Sequence, residues 1–243
     1  MSRSLALLTG LCLVPALAIA AEPTVPTFDA TQFAHSVPND FFPLHVGSVH
    51  RLTGTILADD GSRLPFLRVR SVPGLGPVIL GVQTTILLDE EYQDGRIVER
   101  SSDYHATDAS GTVWYFGEAV SEFSYDDAGA LTDTHPGKSW VAGVDGALPG
   151  IVLTQGPMPE AEVFMAHAPA AGEMEFSKGV DDGMVITVPA GTFPDTVKIL
   201  TQSTTDPDLR EFTWWAKGMG LIRVEEDLSP AFDAPKVVVE LAE

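Results

Sequence analysis

Apolar and polar positions alternate with a period of two along most of the chain, and no long stretch keeps the 3.6-residue period of an amphipathic helix. Strands are predicted at His50 to Leu57, with Leu52 and Ile56 on one parity and Thr53 and Thr55 on the other, and at Leu64 to Val72, with Arg68 and Arg70 sharing a face. Pro73-Gly74-Leu75-Gly76-Pro77 should end the second of these, because proline lacks the ladder donor and glycine weakens a strand. Val78 to Tyr92 and Arg96 to Ala106 read as a hairpin about Gln93-Asp94-Gly95, since Asp-Gly accepts the positive dihedrals of a tight turn. In Val113-Trp114-Tyr115-Phe116 four bulky residues follow one another, so that strand is expected to be covered on both faces.

A smaller hairpin spans Phe123 to Tyr125, the turn Asp126 to Gly129, and Ala130 to Thr134. Glycine and proline recur from Gly143 to Pro159, which predicts a long ordered loop, and Ala161 to His167 fits a short helix or a strand. Met184 to Val188 and Thr196 to Thr201 flank another turn, and the last strands are Glu211 to Trp215, Leu221 to Glu226 and Val237 to Leu241. Short strands punctuated by turns point to an all-β fold, a single antiparallel curved sheet or half-open barrel with long Gly/Pro-rich loops. Phe41, Phe42 and Leu44 are placed to plug one end of such a core, with Pro43 and Gly47 setting the bend.

The N-terminus changes the setting of this domain. Ser2-Arg3-Ser4, an apolar run from Leu5 to Leu17 and Ala18-Ile19-Ala20 form a secretory signal, too short to span a bilayer as a helix, with cleavage expected after Ala20. Residues 1–20 are thus the signal peptide, 21–38 an extended leader rich in Pro and Thr, and 39–243 one β domain. The single cysteine, Cys12, lies inside the apolar run without a small residue before it, so lipidation there is not expected. Cleavage leaves no cysteine, which excludes disulfides, thiolate metal sites and a catalytic thiol. Export without disulfides fits a bacterial envelope, periplasmic or extracellular. No second apolar run is long enough to cross a membrane.

A formal charge of −20 repels phosphate backbones and anionic headgroups, which argues against nucleic acid and against electrostatic membrane binding. Candidate chemistry gathers between Asp103 and Ile151, where aromatics, carboxylates and glycines are densest. Asp103, His105 and Asp108 have metal-ligand chemistry, although such residues recur by chance in so acidic a chain. Glu118 and Asp145 could hold Ca²⁺ with backbone carbonyls, or act as a general acid/base pair; Asp145 equally suits bonding the amides of its own loop, with Glu118 facing water or a buried arginine. Trp114, Tyr115, Trp140, Trp214 and Trp215 suit an apolar pocket wall as well as a β core. Gly137-Lys138-Ser139 lacks the spacing of a phosphate loop, and neither His-Glu-x-x-His nor Gly-x-Ser-x-Gly occurs.

Several segments resemble a family of exported bacterial proteins: Asn39 to Gly47; Gly111 with Val113-Trp114-Tyr115-Phe116-Gly117-Glu118; Ser139-Trp140 with Ala142-Gly143-Val144-Asp145-Gly146-Ala147 and Pro149-Gly150-Ile151; Val188-Pro189-Ala190-Gly191 with Phe193. The last of these, with Gly218 and Gly220-Leu221, is also similar to envelope proteins whose curved sheet looks like the half-barrel of lipoprotein carriers. The resemblance implies a fold and carries over no catalytic residue; an aromatic would be expected where His105 stands, which weakens a metal role there. The sequence reading is therefore an exported, non-catalytic accessory protein holding an apolar or amphipathic small ligand. Trp114, Tyr115, Glu118, Trp140 and Asp145 are its candidate contacts. A divalent-cation protein and a carboxylate-dependent hydrolase are the alternatives. Cofactor and protein partners are not specified.

Overall fold

The computed structural model describes residues 22–242; the signal peptide expected at 1–20 lies outside them. Fourteen strands follow in chain order: β1 Val49–Leu57, β2 Arg63–Ile79, β3 Val82–Gln93, β4 Arg96–Thr107, β5 Val113–Tyr125, β6 Leu131–Pro136, β7 Trp140–Val141, β8 Leu148–Leu153, β9 Val163–Ala168, β10 Glu173–Val188, β11 Gly191–Ser203, β12 Arg210–Ala216, β13 Gly220–Glu226 and β14 Val237–Leu241. Every strand pairing is antiparallel. Among the described residues the only helical pieces are 3-10 turns at Ala30–Phe33 and Pro169–Ala171, and no helix is long and apolar enough to cross a membrane.

The sheet closes on itself. From β4 it runs through β3, β2, β1 and then β14 back to β8 and β5, and β5 pairs with β4, giving a ring of twelve strands. This corrects the expectation of a curved or half-open sheet. The ring is tied at its narrowest between β8 and β9, whose register covers only Leu148↔His167 and Pro149↔Ala166. Closure depended on a segment in which glycine and proline masked a strand: β8 lies inside the stretch expected to be loop. Gly150 permits it, because a Cβ there would sit 2.2 Å from the Met165 carbonyl oxygen of β9. Without β8 the sheet would have two free edges.

Two other boundaries moved for related reasons. Pro73 to Pro77 bends β2 at register shifts and does not end it, and β2 meets β3 across a two-residue turn at Leu80-Gly81. Ala161 to His167 resolves as strand β9, which begins at Val163. The Asp94-Gly95 turn has both φ values positive (49° and 79°), as the hairpin reading requires.

Two features fix the barrel's outside and one end. The leader crosses β5: Phe28 and Phe33 pack on Trp114 and Phe116 with ring centroids 5.6 to 6.0 Å apart, which covers the outer face of the aromatic strand. Backbone bonds from Ala109 to Gln32 (2.8 Å) and from Phe164 to Thr24 (3.0 Å) pin it at both ends. Buried Asn39 latches the following segment. Its Nδ2 donates to the carbonyls of Gly111 (2.7 Å) and Thr154 (3.0 Å), and its Oδ1 accepts from the amides of Phe41 and Phe42. Phe42 is thereby set into the barrel end, stacked on Trp215 at 4.9 Å and edge-on to His105 at 5.1 Å, as the plug expectation holds.

Candidate functional site

Alternation decides what fills the barrel. Across four strands the residues sharing a parity are Asp89 and Glu91 on β3, Glu99, Ser101, Asp103 and His105 on β4, Glu173 and Glu175 on β10, and Glu211, Thr213 and Trp215 on β12; all line one cavity of about 490 Å³. Arg68 and Arg70 of β2, with Tyr115, Glu118 and Glu122 of β5, complete its wall. Glu226 of β13 reaches Arg68 from the same side. Ten carboxyl groups therefore surround the hollow against three cations, Arg68, Arg70 and Lys138. The interior becomes apolar toward β1 and β14, where Leu52, Val239 and Leu241 are buried, and at the end closed by Phe42 and Trp215.

The cations are committed. Arg68 bonds Glu91 and, at 2.5 Å, Glu226, with Asp89 at 3.7 Å; Arg70 faces Asp89 at 3.1 Å and lies over the rings of Phe42 and Trp215. Burial opposes the charge of Arg68, but Glu226, Glu91 and Asp89 outweigh it and hold the guanidinium well above its ordinary range. Lys138 at the rim pairs with Glu173 at 3.0 Å.

Asp103, Glu118, Glu175 and Glu99 have no ion-pair partner within 4 Å among the described residues. Asp103 and Glu118 stand directly opposite each other on β4 and β5, an arrangement that destabilises a sheet when both carry charge. Burial, reinforced by the Asp103 charge, pushes Glu118 up to about 8. Burial and the Asp89 charge push Asp103 up to about 7. Burial with Glu91 takes Glu99 to about 7, and burial with Glu173 and Glu118 raises Glu175 well above the carboxylate range. Near neutrality this wall thus holds exchangeable protons where a cation could sit instead.

Glu118 is oriented by its neighbours: Trp140 Nε1 donates to its Oε1 at 3.1 Å, and the Tyr115 hydroxyl also bonds it. Short β7 brings Trp140 there by pairing with Gly117 and Glu118. Gly117 has φ +128°, and a Cβ on it would lie 2.2 Å from the Trp140 carbonyl oxygen, so the approach requires glycine. Trp140 meets Tyr115 edge-on at 5.2 Å, and Tyr115 stacks on His105 at 4.8 Å.

Glu118 and Trp140 also border a second hollow of about 390 Å³, mainly apolar, walled by Tyr104, Val141, Val144, Asp145, Ala147 and Ala168. Four of the five sequence candidates therefore lie at the two hollows: Tyr115 in the first, Trp140 and Asp145 in the second, and Glu118 in both. Trp114 does not join them. It points outward beneath the leader, and its Nε1 donates to Asp108 at 2.8 Å. That bond, with those from the Ser110 and Thr112 amides, occupies Asp108 as a turn cap. His105 is buried, with its Nδ1 3.4 Å from the Trp114 carbonyl oxygen, and burial holds it neutral, lowered to about 3. Asp103, His105 and Asp108 thus do not converge, and among the described residues no three His, Cys, Asp or Glu side chains form a metal-holding group.

The sequence reading missed Asp89, Glu91, Glu99, Glu173, Glu175, Glu211 and Glu226. Asp89 with Glu91, Glu173 with Glu175, and Glu99 with Asp103 about Ser101 carried a signal as polar residues of one parity, but the same pattern describes an outer face, and Glu211 and Glu226 stood as lone carboxylates on their strand faces.

No family model matches the chain, and no curated protein matches it. Among solved structures the barrel is similar to a candidate lipoprotein from Parabacteroides distasonis (16% identity, TM-score 0.41, 85% of this chain and 99% of that one). It is also similar to a candidate exported protein with a YmcC-like fold from Bacteroides fragilis (11% identity, TM-score 0.43, 84% and 98%).

Proposed function

We propose that this is an exported, non-catalytic binding protein of a bacterial envelope, and that its barrel takes a small amphipathic cation. The amine of the ligand sits between Asp103, Glu118 and Glu175, and its apolar arm lies along Trp140 in the adjoining hollow. The observation that carries the reading is that Glu118 borders both hollows: a carboxylate-rich chamber whose lining cations are paired lies beside a wall of alanine, valine and tryptophan. A purely apolar ligand would leave Asp103 and Glu118 desolvated and uncompensated, whereas an ammonium group offsets their repulsion. Amine binding displaces the protons these carboxyls hold, so affinity should rise between pH 6 and pH 9 for an amine that stays charged over that range.

Calorimetric titration with octylamine, hexane-1,6-diamine and octanol tests the reading. Octylamine should bind more tightly at pH 8.5 than at pH 6, and a Glu118→Gln, Asp103→Asn double variant should lose at least tenfold. Equal binding of octanol and octylamine, or equal binding by the double variant, overturns it.

A further inference from the structure

The β2–β3 hairpin tip differs from the rest of this acidic surface. From Ser71 to Leu88 there is no Asp, Glu, Lys or Arg, in a chain that is 20% charged. Leu75, Val78 and Leu80 on this tip are 68%, 64% and 44% exposed. The tip also has company. A Cβ built on Gly143 would lie 2.6 Å from Leu80 Cδ2, so the hairpin rests on the loop between β7 and β8, and Val144 beside it is 54% exposed. Leu80 at the tip and Val144 on the neighbouring loop thus lie close together, with Val78 and Leu75 exposed behind the tip on β2, and the hairpin part of this apolar prominence carries no charge.

Its backbone is costly to hold. Leu80 and Gly81 have φ of 50° and 83°, the geometry of the Asp94-Gly95 turn, but a leucine stands where the other turn has aspartate. Asn, Asp or Gly would occupy that position with less strain, and a leucine there adds exposed apolar surface as well. The contact with the β7–β8 loop offsets this only in part, since Leu80 keeps 44% of its surface exposed.

We propose that this prominence inserts into the interfacial layer of a lipid bilayer whose headgroups carry no net charge. The charge distribution selects that occupant. A second copy would bring two bodies of formal charge −20 together, and an anionic leaflet would repel the same field. An uncharged headgroup layer gives the leucines and valines an apolar medium without a penalty from the acidic surface. A narrow hairpin tip also suits insertion between headgroups. Val144 belongs both to the prominence and to the wall of the second hollow, so the docked protein presents that hollow to the membrane. The bilayer contact itself stands independently of what the barrel binds.

The test is co-sedimentation of the full chain with vesicles of pure phosphatidylcholine and with vesicles containing 30% phosphatidylglycerol, alongside analytical ultracentrifugation without lipid. Binding to phosphatidylcholine is expected, weaker by several-fold on the anionic vesicles at low salt and recovering as salt screens the repulsion. Leu80→Asn, which suits the turn better and preserves the fold, and Val78→Ser should each reduce phosphatidylcholine binding at least threefold, and together tenfold. The proposal is overturned if wild type does not bind phosphatidylcholine, or if the double variant binds equally well. It is also overturned if the chain self-associates and the same substitutions abolish that association, which would make a second copy the occupant.

Discussion

Replacing Glu118 by Gln isolates the electrostatic cost of the barrel's interior. Gln keeps a carbonyl oxygen for Trp140 Nε1 and nearly the same volume, and removes only the capacity to ionise opposite Asp103. In the folded chain Glu118 titrates at about 8, against 4.5 for the free side chain. Between those values the fold binds a proton that the unfolded chain has released, so stability falls as pH rises from about 4.5 to about 8 and is level beyond. A displacement of this size corresponds to about 5 kcal/mol, and roughly half of that once water in the hollow screens the charge. The Asp103 charge contributes to this displacement after burial, so Glu118→Gln removes the group on which that repulsion falls, and the effect belongs to the pair and not to Glu118 alone. Urea unfolding of wild type and variant at pH 5, 7 and 9 measures it. The two should be nearly equally stable at pH 5, and the variant about 2 kcal/mol more stable at pH 9. Parallel stability curves across that range, or a variant less stable at pH 9, would refute the account of the interior given above.

Arg68→Met removes the cation shared by Glu91, Glu226 and Asp89 and should cost about 3 to 5 kcal/mol, less at acid pH, because burial already raises Glu226 and Asp89 and lets them take protons; urea unfolding at two pH values checks both. Gly117→Ala places a Cβ 2.2 Å from a backbone oxygen at φ +128°, and should lower thermal stability by more than 2 kcal/mol while shifting the environment of Trp140, read by near-ultraviolet circular dichroism. Asn39→Ala cuts the latch that seats Phe42 and should cost about 3 kcal/mol, with faster hydrogen exchange confined first to the amides of Phe41 and Phe42. Phe28→Ala should cost about 2 kcal/mol and red-shift tryptophan emission by wetting Trp114.

Period and turn chemistry in the sequence were enough to determine an antiparallel β chain, because a strand's alternation and an Asp94-Gly95 turn are set within a few residues. The double cover of Val113 to Phe116 was legible for the same reason, since four bulky neighbours cannot share one face. Tertiary structure alone decided that the sheet closes: β8 is a strand because β9 and β5 supply its partners, and glycines such as Gly150 read as loop until the Met165 carbonyl oxygen arrives beside them. It also decided which face is inside. Alternating Glu and Asp on β3, β4 and β10 looks like solvent-facing surface in one dimension, and becomes the wall of a hollow only when twelve strands curve round it. Trp114 and Tyr115 are neighbours in sequence, and one step of the pleat sends the first under the leader and the second into the barrel, because closure, not composition, assigns each parity its side.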